Sequence, residues 1–273
     1  MAPKNRESGI GSRESGKRRC ADGGGVSGGR GAVALVLAGG VGSRMGRPKQ
    51  FIELLGKPAL FHTLNAFEKC SAIEKIYTVG DEARISALAR EHGIRKYAGC
   101  AEPGESRAFS TRSGLLLCDE DPETIVLIHD GSRCLVSPDL IEGIIAAVED
   151  GADGAIPATP VSDTIKVANG DSVAKTLDRS ELRAVQTPQA FRLGLLRRIF
   201  ADREEDFAAA TDDACLVERL GGDVRLVPGE RSNIKLTSPE DVILAEAILA
   251  SRGSRDDFAG LLGLRGSHHG ASR

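Results

Sequence analysis

The chain has 273 residues, of which 41% are hydrophobic and 27% are charged, with a formal net charge of −3. This length suffices for one large α/β domain or two small ones, and no apolar run is long enough for a transmembrane helix. Residues 1–31 contain seven basic and three acidic residues, so the other 29 basic and 36 acidic residues give a net −7, which argues against a nucleic-acid binder.

The two ends of the chain are poor in residues that could form a core. Residues 1–31 include nine glycines and lack the apolar segment of a secretion signal. We predict a disordered tail or a misassigned start, with a plastid transit peptide as the alternative. Residues 251–273 are polar and glycine-rich and predict a flexible C-terminal tail. The six cysteines form no C-x-x-C pair, which is typical of reduced thiols in a cytoplasmic protein.

The first predicted element is the most informative. An apolar run, 33–37, predicts a buried strand and leads into a glycine-rich turn that is followed by Arg44 and Lys49. Such a turn exposes backbone N–H groups to a phosphate, and the two cations add charge beside it. The glycine pattern is not a complete dinucleotide fingerprint, because Met45 occupies the third glycine position, but the turn with its cations predicts a nucleotide site.

Strands and helices then alternate. Apolar spacing predicts helices over 58–70, 82–92, 107–118 and 138–150, and strands over 75–79, 94–98 and 124–129. This alternation predicts an α/β fold: a Rossmann-like, mostly parallel sheet with helices on both faces.

The alternation is interrupted near residues 160–180. Two β-prone runs, 162–167 and 172–177, flank Asn169–Gly170, which is a strong hairpin signal. We expect this hairpin to pack on the sheet or to reach a second subunit, because a two-stranded ribbon is barely stable alone. Helices near 193–203 and over 211–220, a strand over 224–227 and a final helix, capped by Ser238 and Pro239, complete the chain.

Two residues beyond the glycine turn could take part in phosphate chemistry. Asp130 ends the apolar strand at the edge where open α/β sheets bind ligands, and a carboxylate facing a triphosphate suits Mg²⁺. Lys235 lies between a strand and a capped helix and would be a third cation. Taken alone, each could be an ordinary turn or surface residue, and the polar residues flanking the hairpin indicate only turn chemistry.

Seven segments in order resemble the 2-C-methyl-D-erythritol 4-phosphate cytidylyltransferases of the non-mevalonate isoprenoid pathway. They are LAGGVGSRMGRPKQF (37–51), ESRAFSTRSGL (105–115), HDGSR (129–133), PVSDTIK (160–166), DRSELRAVQTPQAF (178–191), TDDA (211–214) and NIKLTSPEDV (233–242). The resemblance implies a nucleotidyltransferase domain over 32–250 that transfers a cytidylyl group from CTP to methylerythritol phosphate with Mg²⁺. It also implies a homodimer, in which the β-arm at about 160–180 carries substrate-binding residues into the partner's site.

The resemblance assigns roles to individual residues. It implies that Arg44, Lys49 and Lys235 surround the α-phosphate, that Asp130 is the Mg²⁺-associated aspartate, that Thr164 and Arg179 bind the methylerythritol phosphate, and that Arg133 and Thr211 line the same pocket. The implied nucleotide-binding residues are Ala38, Gly39, Gly40, Gly42, Gly104, Glu105, Ser110 and Asp130. Gly104, Glu105 and Ser110 among them would recognise cytosine.

The chain departs from the family pattern at a few positions. The spacing from Arg44 to Lys49 is short, Gly131–Ser132 replaces an Ala–Ala pair, Cys134 replaces a proline, and Glu105 stands where aspartate is frequent. None of these removes a charge, so we expect activity. A ribitol-5-phosphate or other polyol-phosphate cytidylyltransferase is the alternative, and a non-catalytic module is disfavoured because all four charged residues of the site are present.

Overall fold

The structure is a computed structural model, and it describes residues 31–40, 46, 48–202, 207 and 210–261. The predicted site residues Gly42 and Arg44 therefore lie outside the described residues, as do 1–30 of the predicted N-terminal tail and 262–273 of the predicted C-terminal tail. In the described part of the chain, no helix is both long and apolar enough to cross a membrane.

The strands and helices alternate largely as predicted. The strands are β1 (Ala32–Leu37), β2 (Glu53–Leu54), β3 (Lys57–Pro58), β4 (Ile73–Val79), β5 (Tyr97–Ala101), β6 (Ile125–Asp130), β7 (Gly154–Pro160), β8 (Lys166–Asn169), β9 (Ser172–Thr176), β10 (Arg183–Val185), β11 (Gln189–Arg192) and β12 (Val224–Pro228). The α-helices are α1 (Ala59–Lys69), α2 (Glu82–Glu91), α3 (Arg107–Leu115), α4 (Pro138–Glu149), α5 (Leu193–Asp202), α6 (Ala214–Glu218) and α7 (Pro239–Leu261).

Within the described residues, the main sheet has eight strands and is mostly parallel, as predicted. Strands β5, β4, β1 and β6 pair in parallel, and β11 then pairs antiparallel with both β6 and β7. Residues 158–160 of β7 pair antiparallel with β10. Along the opposite edge of the same strand, residues 154–158 pair in parallel with β12. The parallel register brings the carboxyl ends of β1 and β6 together, with Leu37 opposite Asp130.

Helices cover both faces of the sheet, and the side chains of β1 point alternately into the two cores that lie between the sheet and these helices. Ala34 and Val36 pack in one cluster with apolar residues of α1, α2 and α4. Val33 and Leu35 pack in a second cluster with residues of α3, α5 and α6. A strand that is buried on both faces carries an uninterrupted apolar run, which is why β1 and β6 were recognisable from the sequence.

A smaller third core lies beside the sheet. It joins Leu54, Leu135, Leu236 and Ala245, all buried, and therefore attaches helix α7 and the segment around Lys235 to the rest of the fold. Helix α7 continues past the predicted domain boundary at residue 250 as far as Leu261. Near its start, the Asp241 carboxylate accepts hydrogen bonds from the backbone N–H groups of Thr237 and Ser238.

The predicted hairpin is confirmed. Strands β8 and β9 pair only with each other among the described residues, every residue of both strands is exposed, and Gly170 in the turn has a φ of +58°. Glycine adopts this left-handed conformation without the steric cost that a Cβ would add. The hairpin therefore forms an arm outside the main sheet.

Several strands differ from the prediction. The strand expected over 94–98 begins at Tyr97, the first strand of the hairpin, expected over 162–167, is Lys166–Asn169, and β2, β3, β7, β10 and β11 were not predicted. Strand β7 reads GAIPATP, and its two prolines obscure a strand pattern. Strands β10 and β11 have three and four residues, which is too short for a clear period.

Candidate functional site

The glycine turn after β1 is fixed in place by its neighbours. The buried Gln50 donates from Nε2 to the backbone oxygens of Ala38, at 2.6 Å, and Gly40, at 3.2 Å. A Cβ on Gly39 would lie only 2.5 Å from Cβ of Pro103, so only glycine allows this close approach. Gln50 belongs to the segment LAGGVGSRMGRPKQF but was not predicted as a site residue, and its side chain shapes the turn.

An open cleft of about 550 Å³ lies at the carboxyl ends of β1 and β6, beside this turn. Nine of the predicted site residues line it together: Ala38, Gly39, Gly40, Lys49, Gly104, Glu105, Ser110, Asp130 and Lys235. The same cleft also includes Gln50, Ser132 and Arg107. Segments far apart in sequence thus present two lysines, two carboxylates and a glycine turn to one cavity.

The cytosine-binding segment proposed from the resemblance forms the N-terminal approach to α3. The backbone N–H of Gly104 donates to Oγ of Ser110 at 3.1 Å, and the Ser106 side chain caps the helix by accepting from the N–H of Phe109. A Cβ on Gly104 would lie 2.4 Å from Cβ of Phe109. This loop is therefore tightly folded against the helix that follows it.

Asp130 is the buried charge at the floor of the cleft. Its Oδ2 lies 2.8 Å from Nζ of Lys235, its Oδ1 accepts from Nε of Arg107 at 3.2 Å, and Nε of Arg133 is 3.8 Å away. Burial alone would raise the pKa of Asp130, but the nearby Arg107 and Lys235 outweigh it and hold that pKa well below its usual range. Asp130 is therefore ionised at neutral pH.

A buried network fixes the backbone around Asp130. The Asp130 N–H donates to Oγ1 of Thr187 at 3.0 Å. Burial lowers the pKa of His129 to about 4, which keeps this ring neutral. The Nε2–H of His129 donates to the Arg133 backbone oxygen at 3.0 Å, so its unprotonated Nδ1 accepts from the Thr187 hydroxyl at 3.1 Å. Asn233 donates to the Thr187 backbone oxygen at 2.9 Å and so positions Lys235, two residues later.

Arg107 is the main site residue that sequence reasoning missed. Its guanidinium contacts both Asp130 and the buried Asp213, whose other oxygen accepts from Oγ1 of Thr111 at 3.0 Å. Burial opposes its charge, yet the carboxylates of Asp213 and Asp130 prevail and raise the pKa of Arg107. Arg107 lies in the segment ESRAFSTRSGL and Asp213 in TDDA, and the presence of both in segments that resemble the family was the available signal.

Four of the predicted residues lie outside this cleft. Arg133 is beside it, where Nη1 donates to the backbone oxygen of Asn233 at 2.9 Å. Thr164 and Arg179 flank the exposed arm, and Arg179 donates to the backbone oxygen of Ser162 at 2.7 Å. Thr211 is exposed in the segment before α6. Within one chain, the two arm residues Thr164 and Arg179 therefore do not line the cleft.

The donor set around Asp130 limits the kind of metal site that could form. Over the described ranges, no group of three or more His, Cys, Asp or Glu side chains is arranged to hold a metal ion. Mg²⁺, however, is commonly held by one or two carboxylates and by substrate phosphates. Asp130 at the floor of an open cleft suits that mode of binding and not a cage made entirely of protein ligands.

A glycine turn, convergent lysines and an ionised carboxylate at the carboxyl edge of a mostly parallel sheet are typical of a nucleotidyltransferase. The family model for 2-C-methyl-D-erythritol 4-phosphate cytidylyltransferase matches residues 32–251. The chain belongs to this family.

Individual relatives agree with this assignment. The chain is 71% identical to the 2-C-methyl-D-erythritol 4-phosphate cytidylyltransferase of Rubrobacter xylanophilus, over 82% of this chain and 97% of the relative. It is 47% identical to that of Geobacillus kaustophilus, over 80% and 97%. The crystal structure of 4-diphosphocytidyl-2C-methyl-D-erythritol synthase from Anaerococcus prevotii has a TM-score of 0.68 at 31% identity, covering 81% of this chain and 97% of that one.

The reaction follows from the family. The chain transfers a cytidylyl group from CTP to 2-C-methyl-D-erythritol 4-phosphate, giving 4-diphosphocytidyl-2-C-methyl-D-erythritol and pyrophosphate, a step of isoprenoid precursor biosynthesis. The comparisons favour this acceptor over ribitol 5-phosphate, the alternative that the sequence left open.

Proposed function

We propose that CTP binds in the cleft with its triphosphate against the Ala38–Gly40 turn, and that Lys49, Lys235 and Arg44 neutralise its α-phosphate during transfer. The observation that carries this proposal is the cleft itself, which both Lys49 and Lys235 line beside the turn. In this reaction an oxygen of the acceptor phosphate bonds to the α-phosphorus, and the bond from that phosphorus to the pyrophosphate oxygen breaks. The cytosine would lie near Gly104, Glu105 and Ser110.

The chemical demand on the protein is mainly electrostatic. The acceptor phosphate is already ionised near neutral pH, so no general base is needed. Two anions must be brought together, and the charge that develops on the transferred phosphoryl group must be neutralised by preorganised cations. Lysine is suited to this task because its ammonium is a compact charge on a flexible stem.

We propose that Asp130, together with the phosphates of CTP, would hold a divalent cation, Mg²⁺. When bound, it would supply a positive charge that draws electron density from the triphosphate. The protein's part is to present an ionised carboxylate at the cleft floor, and the ion pairs of Asp130 keep that group ionised. We expect EDTA to abolish turnover and added MgCl₂ to restore it; full turnover in chelator would contradict this proposal.

We further propose that the enzyme is a homodimer in which the arm of one subunit brings Thr164 and Arg179 to the cleft of the other. This accounts for an exposed hairpin that contributes nothing to its own main sheet. It also accounts for the position of Arg179, which is not among the residues that line the cleft of its own chain. Arg133 and Thr211 would complete the acceptor site from the subunit that holds the cleft.

Mixed dimers of two inactive variants test this arrangement. Arg179→Ala impairs the arm, and Lys235→Ala impairs the cleft. If the arm acts in trans, each mixed dimer contains one site in which both residues are intact, so random mixing should restore about a quarter of wild-type activity. If the arm serves its own chain, mixing restores nothing, and the proposal is wrong. Each variant remixed with itself is the control.

We also propose that the enzyme works in the cytoplasm. The five cysteines among the described residues are all free thiols, and three of them, Cys70, Cys118 and Cys134, are buried. Proteins of oxidising compartments usually use their cysteines in disulfides. Localisation of a fluorescent fusion in a bacterial host, with fractionation as a second measurement, tests this location.

A further inference from the structure

The cation pairs of Asp130 differ in how freely they can move. Lys235 approaches Oδ2 with a side chain that is 41% exposed, whereas Arg107 approaches Oδ1 with a side chain that is 26% exposed. Lys235 can turn toward an incoming phosphate, because its stem is flexible and faces solvent. When Lys235 turns away, another group must hold the Asp130 carboxylate in place.

Arg107 is anchored from behind by a second carboxylate. Its Nη1 donates to Oδ2 of Asp213, a residue whose side chain is 1% exposed, and Oδ1 of the same carboxylate accepts from Thr111, one turn further along α3. The remaining Nη2 is buried and has no hydrogen-bond partner within the described residues. Arg107 is thus held by the two carboxylates and by its own helix.

Moving Arg107 toward a ligand would be costly. Arg107 is the cation that compensates the buried Asp213, and an uncompensated charge in the interior is strongly destabilising. Arg107 is therefore tied to its position, unlike Lys235. A lysine is a poor replacement, because Arg107 contacts Asp130 through Nε and Asp213 through Nη1, whereas the single nitrogen of a lysine would have to reach both carboxylates from one position.

We propose that Arg107 is a positioning residue for cytidylyl transfer: with Asp213 and Thr111 behind it, it holds the Asp130 carboxylate in place while Lys235 moves to the phosphate. This inference rests on the proposed role of Asp130. Arg107 acts through Asp130 and does not itself need to contact the substrates.

A double-mutant cycle tests the proposal. Arg107→Lys keeps the positive charge but not the two separate nitrogens that contact Asp130 and Asp213. We expect it to lower kcat by about 10- to 100-fold, as loss of an orienting partner typically does. We expect KM for CTP to change less than about threefold, because the lost interaction positions one group and contributes little to ground-state binding. In an Asp130→Asn background the same substitution should have little further effect, because the group that it positions has lost its charge. Arg95→Lys, at a side chain that is 91% exposed, is the matched control.

Several outcomes separate this inference from the proposed function. A wild-type kcat in Arg107→Lys, or a full additional loss in the Asp130→Asn background, would overturn the positioning role alone. Near wild-type turnover in Asp130→Asn itself would overturn the proposed role of Asp130 and this inference with it. Binding of Mn²⁺ in the presence of CTP, followed by electron paramagnetic resonance, gives a readout besides activity and should weaken in Arg107→Lys.

If Arg107→Lys does not fold, Thr111→Val decides the matter. This variant removes only the hydroxyl behind Asp213 at nearly constant volume, and we expect kcat to fall severalfold with the same dependence on Asp130. An unchanged kcat in Thr111→Val, or an effect equal in both backgrounds, would contradict the anchoring chain from α3 to the cleft.

Discussion

At the residue scale, the cleft depends on cations that come from different loops. Lys49 follows the glycine turn and Lys235 precedes α7, yet both line the cavity that Asp130 also lines. A preorganised charge is worth more there than on an open surface, because a partly enclosed site screens it less. The value of each lysine should therefore appear in the rate of transfer and little in stability.

We expect Lys49→Ala and Lys235→Ala each to lower kcat about 10²- to 10³-fold, since one preorganised contact to developing charge is worth about 3–4 kcal/mol. Steady-state rates of pyrophosphate release from CTP and the acceptor measure this. Lys69→Ala, at an exposed position at the end of α1, is the control and should remain at the wild-type rate. If both cleft variants kept wild-type turnover, the proposed charge neutralisation would be wrong.

The buried thiols offer a second prediction at this scale. Burial raises the pKa of Cys118 and Cys134 to about 12 each, so little thiolate exists at pH 8. Burial also keeps alkylating reagents away from both sulfur atoms. We expect both to resist alkylation by iodoacetamide in the native protein and to react readily in denaturant. Mass spectrometry of peptides measures this, with the partly exposed Cys215 as the internal comparison. Equal native labelling of Cys134 and Cys215 would contradict the packing.

At the scale of elements, α3 must lie close to the sheet because it carries both Arg107 and Ser110. The closest approach is at Gly114, where a Cβ would lie 2.4 Å from Cδ1 of Leu35 and 2.8 Å from Cγ2 of Val79. Glycine weakens a helix interior, so its presence here reflects packing against β1 and β4.

Two glycine-to-alanine substitutions test this packing. Gly114→Ala should lower the free energy of unfolding by about 1–3 kcal/mol, because the added methyl overpacks the second core. Gly143→Ala on α4 is the matched control, since its Cβ would meet no described atom within 4 Å. That variant should gain about 0.5–1 kcal/mol from the higher helix propensity of alanine. Urea unfolding measures both, and equal effects would show that space at Gly114 is not limiting.

At the scale of the whole molecule, the site is assembled by two kinds of packing. The central cores fix β1, β6 and α3, and hence the glycine turn, Asp130 and Arg107. The third core fixes the segment that contains Lys235, because the neighbouring Leu236 packs with Leu54 and Leu135. Arg252 of α7 adds hydrogen bonds to the Leu135 backbone oxygen and to Ser232.

Leu236→Ala tests this dependence. Leu236 is fully buried, so the substitution should lower the free energy of unfolding by about 2–5 kcal/mol, and kcat should fall as Lys235 loses its fixed approach. Leu244→Ala, on α7 with 49% of its surface exposed, should change stability by less than about 0.5 kcal/mol. Denaturant unfolding and turnover of both variants are the measurements. A stable, fully active Leu236→Ala enzyme would contradict the role of the third core.

The sequence by itself determined the features whose cause is local. The apolar runs of β1 and β6, the alternation with helices and the Asn169–Gly170 hairpin are set by side-chain period and turn chemistry, and the structure has each of them. The motifs around Lys49, Asp130 and Lys235 also indicated the family. The prediction of a phosphate site at the end of the first strand rests on the glycines and cations that occur together there.

Only the tertiary structure decided what depends on partners distant in the chain. Strands β10 and β11 exist because they add to β7 and β6, and their few residues have no pattern of their own. Arg107 reaches residues 23 and 106 positions away, Asp130 and Asp213. No spacing rule predicts such a bridge, because buried charges select one another by position in space and not by distance along the chain.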